Sequence, residues 1–491
     1  MTDSDASLML ALLKTSTAPG QLGSLIGTKR MRGLIPLCMS AAAVWACVAC
    51  VDACLARPAN APNIAAPHAP PDNATPPALS LADAKRIAFE RNWDLLAAKA
   101  NVDLALAQKI VAREFPNPTA SFSTSKLNTD GHPNSTASGN GLWDRNYDTI
   151  VAVTQLFEIG GKRSARQASA AAGHESAEAS FRDARRTLDL AVTKAFIAAL
   201  LAEENVRVLK KSAESLRHEA TIAETRLNAG DISNNDRNQI EIAAERLELD
   251  AQAAKSNAAA GRIAVEVLLG TKSPSGNWKP ANRLPDLASA AREIRGGAGG
   301  VRPDLAAAEA TLRKTEADLK LQKAMRIPDP TILLQYEHQP PDQPNTAGFG
   351  VSFPLPLWNF NRGNIRAAEA VRDQAQAQVS KIETQIASEI ATAEIAFREA
   401  FARWRRYLDQ IAPSSAAVLA TVSFAYKMGG ASLLDLLSAE RNDNDIRVAT
   451  AQAMADCATA SATLAIARNA SPFSKPSEDE PKTRSHALPK K

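Results

Sequence analysis

A ten-residue pattern occurs twice in this chain, and that repetition limits the possible folds more than any other feature. Leu227-Asn228-Ala229-Gly230-Asp231-Ile232-Ser233-Asn234-Asn235-Asp236 and Tyr426-Lys427-Met428-Gly429-Gly430-Ala431-Ser432-Leu433-Leu434-Asp435 share the core Gly-x-x-Ser-x-x-Asp. Each core lies between long Ala-rich segments poor in Gly and Pro. Gly230 and Gly429 suit the left-handed residue that closes a helix, and Ser233 and Ser432 suit the cap of the next one. Asp236 and Asp435 fall in the first turn, where a carboxylate meets exposed N–H groups. Two such helical hairpins about 200 residues apart imply a tandem duplication.

Pro116-Asn117-Pro118 and Pro328-Asp329-Pro330 mark the repeat a second time. Each halts a helical stretch and opens a short alternating segment, since Pro tolerates only the first residue of a strand. The order in each copy is helix, strand, loop, strand, very long helix, Gly-Ser turn, long helix. The reading predicts a mainly α fold with a small β part, the first repeat over residues 79–270, an equatorial segment over 271–301 and the second repeat over 302–469. The offset between copies falls from about 212 at the Pro pairs to about 199 at the Gly-Ser turns, which a longer first loop between strands explains.

The ends differ in kind from the repeats. Residues 1–56 read as an extension and export signal: Lys29, Arg30 and Arg32 precede an apolar run from Leu34 to about Val51, and translation from Met31 fits the same pattern. An inner-membrane anchor is the alternative, because the run is nearly long enough to span a bilayer. A third is lipid attachment at Cys50 or Cys54, although Val51-Asp52-Ala53 makes a poor lipid-attachment motif. Residues 57–78 have the Pro-rich composition of a linker and residues 470–491 that of a disordered tail. With Cys38, Cys47, Cys50 and Cys54 all in the leader, only Cys457 remains in the mature chain, so no internal disulfide forms.

Helical pattern runs from about Gly161 to Asn228 and from about Asn364 to Met428, each roughly 100 Å long at 1.5 Å per residue. In the second, Ala375, Val379, Ile382, Ile386, Ile390, Ala393, Phe397, Phe401, Trp404, Leu408 and Ile411 form one apolar seam, opposite Arg372, Lys381, Glu383, Arg398, Arg403 and Arg406. A soluble coiled coil is the plain explanation for such helices. The strands argue against it. Ser121 to Lys126 and Tyr147 to Phe157 flank one polar loop, and Thr331 to His338 and Ala347 to Phe353 flank another. Phe349, Val351 and Phe353 alternate with Gly348, Gly350 and Ser352, as do Ile332, Leu334 and Tyr336 with Leu333, Gln335 and Glu337. One apolar and one small or polar face is the pattern of membrane-crossing strands. Four strands are too few to close a barrel, so a chain that spans in this way must oligomerise.

Thr154-Gln155-Leu156-Phe157-Glu158-Ile159-Gly160-Gly161-Lys162-Arg163 at one strand exit and Pro354-Leu355-Pro356-Leu357-Trp358-Asn359-Phe360-Asn361-Arg362-Gly363-Asn364-Ile365 at the other complete the pattern. With the duplicated turns, they resemble the TolC-like outer-membrane factors over about Leu79 to Arg468. Within that family the second exit is most similar to the outer-membrane components of cobalt-zinc-cadmium resistance systems, although Asn359-Phe360-Asn361-Arg362 replaces their more usual Asp-Arg-Asn-Gln. The resemblance implies a homotrimer in outer-membrane lipid, whose twelve strands form a barrel continuing into a periplasmic helical tunnel. It also implies a periplasmic adaptor and an inner-membrane resistance-nodulation-division transporter as partners, and a passive export duct for divalent cations (Co, Zn, Cd or Ni). A duct for organic compounds, and a periplasmic coiled-coil protein without a pore, are the alternatives.

The chemistry of the side chains favours a duct over a catalyst. A formal charge of +4 with no basic face interleaved with aromatics excludes nucleic acid as the natural partner. His68, His132, His174, His218, His338 and His486 are scattered, and Gly296-Gly297-Ala298-Gly299-Gly300 lacks a phosphate-loop pattern, so no catalytic, cofactor or metal site is expected. The candidate functional residues are those of the hairpins. If they form the periplasmic mouth, as the resemblance implies, Asp435 and, less so, Asp236 place carboxylates around the axis, with Arg237 and Arg441 as their ionic partners.

Overall fold

The computed structural model describes residues 78–125, 148–291, 300–339 and 343–473. The first copy of the repeat comprises β1 (Ala78–Leu79), α1 (Leu81–Arg91), α2 (Trp93–Val111), β2 (Thr119–Ser125), β3 (Asp148–Leu156), α3 (Lys162–Asn228) and α4 (Asn234–Leu268). After β4 (Lys279–Pro280) and α5 (Leu284–Ala290) comes the second: α6 (Pro303–Ala324), β5 (Thr331–Gln339), β6 (Gln343–Ser352), α7 (Arg362–Arg406), α8 (Ala412–Lys427) and α9 (Leu433–Ala467). The leader with Cys50 and Cys54, most of the first inter-strand loop and the tail beyond residue 473 lie outside the described residues.

The long helix of the first copy is continuous for 67 residues, opened by Gly161 in the left-handed region. That of the second copy is not. Between α7 and α8 the residues Tyr407–Ile411 form a π-turn, a break that the expectation of one helix from Asn364 to Met428 missed. Pro413 supplies the cause: it has no N–H for the carbonyl four residues back and its ring crowds that carbonyl, and a wider turn relieves both. The wider turn also shifts the helical phase. Leu408, assigned to the apolar seam, is 41% exposed, whereas Trp404 one turn earlier is buried with Cys457 and Ala453.

The main core lies midway along α3, where Val192, Phe196 and Leu200 meet Leu79 and Ile87 from the start of the repeat, Val265 and Leu269 from the end of α4, and Trp278, Leu284 and Ala458. Phe196 and Trp278 stack with ring centroids 5.8 Å apart. A two-residue parallel pairing, Ala78 with Lys279 and Leu79 with Pro280, ties the beginning of the first copy to the segment between the copies. Lys85 Nζ lies 2.7 Å from Asp189 Oδ1 and donates to Pro472 O at 2.6 Å, while Ser471 Oγ donates to Asp189 Oδ2 at 2.9 Å. Burial works to lower the Lys85 pKa and Asp189 works against it, with a net downward shift. The first residues of the segment assigned to the tail are thus fastened to the core, and Phe473 packs against it.

All four long strands join in one antiparallel sheet of order β2-β3-β5-β6, so the two copies pair through β3 and β5. Val153, Leu334 and Phe349 stand in one cross-strand row, and Phe122, Val151, Tyr336 and Ala347 in the next on the same face. Phe122 (70%), Leu334 (56%) and Phe349 (69%) are exposed. The opposite face holds Ser121, Ser123, Gln335, Glu337, Gly348 and Gly350 and is more sheltered on β5 and β6. Gly348 sits beneath the Gln335 side chain, whose Cγ would lie 2.8 Å from an added Cβ. The hairpin expected to loop from Gln339 to Thr346 is tighter, because pairing reaches Gln339 and Gln343. Strands β2 and β6 are the two edges of this sheet.

Candidate functional site

The hairpin ends bring together Gly, Ser and Asp as the sequence pattern requires. Gly230 (φ 83°) and Gly429 (φ 73°) are left-handed. Asp231 N donates to Arg226 O and Gly430 N to Ala425 O, both at 2.8 Å, which satisfies carbonyls left open at the helix ends. Ser233 Oγ accepts from Asp236 N (3.1 Å) while Ser233 N donates to Asp236 Oδ2 (3.4 Å). In the second copy Ser432 Oγ accepts from Asp435 N (3.2 Å) and Ser432 N donates to Asp435 Oδ2 (3.1 Å). Both are reciprocal capping boxes. The Ser432 hydroxyl, followed by its backbone N–H, holds the Asp435 carboxyl below the usual carboxylate range. Asp435 therefore stays charged at neutral pH while fully exposed.

The expected arginine partners lie elsewhere. Arg237 donates to Glu224 at 2.7 Å and pairs with Glu241 at 2.6 Å, so its charge is directed away from Asp236. Arg441 is exposed six residues beyond Asp435, about 120° around the helix from it, and the two do not face each other within one copy.

Other residues join the two hairpins. Ile232 of the first turn and Leu433 and Leu437 of the second pack on one cluster with Leu216, Ala223, Ile240 and Ala244. Lys427 Nζ lies 3.5 Å from Glu219, and the Arg226 guanidinium sits 5.3 Å from the centre of the Tyr426 ring. Burial raises the Tyr426 pKa. Glu440, half-buried on α9, is raised by burial, by Asp443 and by Glu219. The repeat offset held the signal for this last residue: Glu440 matches Glu241, but Leu436 stands where Arg237 would pair with it.

Among the described residues no group of three or more His, Cys, Asp or Glu side chains is placed to hold a metal ion. No helix among them is long and apolar enough to cross a membrane. The sheet, with one apolar face and two edges, is the element suited to lipid.

The sequence pattern of the outer membrane efflux protein family matches residues 86–271 and 298–469, one segment for each copy. The chain belongs to that family. A cobalt-zinc-cadmium resistance protein, CzcC, of Cupriavidus metallidurans is 26% identical over 373 residues, covering 74% of this chain and 83% of that protein. A pyoverdine export outer membrane protein, OpmQ, of Pseudomonas putida is 24% identical over 388 residues, covering 72% and 78%. The Campylobacter jejuni CmeC outer membrane channel superposes with a TM-score of 0.65 at 17% identity, covering 79% of this chain and 85% of that one. The fold of this outer membrane efflux protein is thus that of channels in which a β-barrel continues into a helical tunnel. The four-stranded sheet is its share of the barrel, and the long helices extend into the periplasm.

Proposed function

We propose that this outer membrane efflux protein is the passive duct of a tripartite pump for divalent metal cations, assembled as a homotrimer with a periplasmic adaptor and an inner-membrane resistance-nodulation-division transporter. The observation that carries the trimer is the sheet itself. Its apolar face belongs in lipid, its edges need partners there, and twelve strands from three copies close what four leave open. The metal assignment is supported by the similarity to the cobalt-zinc-cadmium resistance protein. The similarity to the pyoverdine exporter favours an organic cargo as the second reading.

At the periplasmic end, three exposed copies of Asp435, each ionised by its own cap, form a ring that concentrates cations at the mouth. Asp236, in the same local geometry, is the weaker contributor in this reading, because Arg237 follows it in sequence where the neutral Leu436 follows Asp435. A strain deleted for the gene should become sensitive to zinc, cobalt or cadmium and regain tolerance from the plasmid-borne gene; sensitivity confined to organic compounds would replace the metal reading. In planar bilayers, Asp435→Asn should lower cation selectivity and flatten the salt dependence of conductance, since fixed charge matters most at low ionic strength. Asp236→Asn should do less. Unchanged selectivity in a folded, trimeric Asp435→Asn protein would remove the ring and leave the fold standing.

A further inference from the structure

The lipid-facing band of the sheet is too short by itself. From Ala347 to Val351 the exposed apolar positions span only about 10 Å along the axis of a tilted barrel, against about 25 Å of hydrocarbon to cover. The same alternation continues past the end of β6 through Phe353 (56% exposed), Leu355 (64%) and Leu357 (60%), and beside Leu357 stands Trp358, the most exposed of the large apolar side chains among the described residues at 91%. As extended chain to Leu355 the apolar face reaches about 20 Å, and the turn between Leu355 and Leu357 carries Leu357 and Trp358 on from its end. Pro354 and Pro356 remove two backbone donors from the segment, and Leu357 N donates to Leu355 O at 2.9 Å, so the stretch leaves the sheet with few unpaired groups.

Directly at this level the chain is cationic. Lys162 and Arg166 are occupied by Asp329 (2.7 Å) and Glu158 (2.5 Å) and use up those carboxylates. Arg113, Lys323, Arg326, Arg362 and Arg366 are exposed, and Glu114 and Glu369 are the remaining acids close to them in sequence. Hydrogen bonds hold these segments at one height: Arg163 Nη2 donates to Arg113 O at 2.6 Å, and Asn361 Nδ2 donates to Gln322 O at 2.8 Å. The Arg163 guanidinium lies 4.0 Å from the centre of the exposed Phe115 ring, an apolar body with a cationic rim.

We propose that the strand exits form a cationic collar that binds the phosphates of anionic phospholipid in the inner leaflet of the outer membrane, with Pro354–Trp358 seated among the acyl chains of that leaflet. The proposal rests on the barrel reading above and names the lipid chemistry of its periplasmic rim. Continuity with the apolar face fixes the depth, and the uncompensated charge selects the headgroup.

The test reconstitutes the full-length trimer in vesicles containing brominated phosphatidylglycerol or, at equal mole fraction, brominated phosphatidylcholine. Tryptophan quenching is compared between the unaltered protein and Trp358→Phe, while channel steps are recorded on the same preparation. The Trp358-dependent signal should be quenched by both lipids and favour phosphatidylglycerol about fivefold, the effect of roughly one engaged cation. Arg113→Gln, Arg326→Gln and Arg362→Gln combined should abolish the preference while preserving quenching. Channel steps with no Trp358-dependent quenching, or with equal quenching by the two lipids, overturn the collar alone. Absence of channel steps in every vesicle overturns the barrel reading and the collar with it.

Discussion

The two copies of the repeat hold the same skeleton with different fastenings. In the first copy the residue after the left-handed turn at the strand exit is Lys162, buried and paired with Asp329 across to the second copy. In the second copy the residue after left-handed Asn361 is Arg362, exposed to solvent. At the other end, Arg237 pairs with Glu241 in the first copy, whereas Leu436 is buried at the matching position and leaves Glu440 among acids. Between these ends α3 is continuous and α7 and α8 are not. At these two positions the first copy uses ion pairs, and the second has exposed charge or apolar packing in their place.

Substitution at the strand exits tests this contrast most severely. Lys162→Ala removes one member of a buried pair and leaves Asp329 uncompensated, so it should cost about 3 kcal/mol in the thermal or denaturant unfolding of the protein. Arg362→Ala should stay within about 0.5 kcal/mol. Equal losses would show that the copies are fastened alike.

The hairpin caps provide the control, since they are the same in both copies. Ser233→Ala and Ser432→Ala should each cost about 1 kcal/mol of local helix stability, read by hydrogen exchange at the starts of α4 and α9. Because the Asp435 carboxyl is held below its ordinary range, its share is complete at neutral pH and disappears as pH falls through that depressed value. A start of α9 equally protected at neutral pH in Asp435→Ala and in the unaltered protein would contradict the cap.

The smallest effect should come from Glu440. Its raised pKa means that ionisation disfavours the packed state, so the associated stability is present below the ordinary carboxylate pKa and lost as pH rises through the raised one. Charges facing it are Asp443 and Arg447 from its own helix and Glu219 from α3, which Lys427 of α8 partly offsets. Glu440→Gln should raise the melting temperature slightly at neutral pH and leave it unchanged near pH 4. Glu241→Gln should lower it slightly at neutral pH by removing one of the two carboxylates paired with Arg237.

Much of this architecture was legible in the chain, because Gly, Pro and Ser punctuate it at matched positions. The turns at Gly230 and Gly429, the strand starts after the Pro pairs and the alternation around Phe349 follow from backbone constraints and a two-residue period. The π-turn escaped the periodicity reading because Pro413 lies inside an otherwise regular seam and its effect falls on the turn before it. Of the two partners of Arg237, Glu241 stands at the readable i,i+4 spacing, but Glu224 lies 13 residues back, across the hairpin, where only packing decides which side chains meet. The exit lysine was similarly opaque, since its partner Asp329 comes from the other copy.

The π-turn at Tyr407–Ile411 gives the second long helix an elbow that the first lacks. Beyond it α8 runs 16 residues, a forearm of about 24 Å. A bend of only about 10° at the elbow swings its far end by about 4 Å. That sweep exceeds the 3.5 Å between Lys427 and Glu219, the ion pair at the wrist of the second hairpin. Leverage of this kind would carry a small bend near Trp404 to the ion pair at the tip, beside an α3 that is continuous.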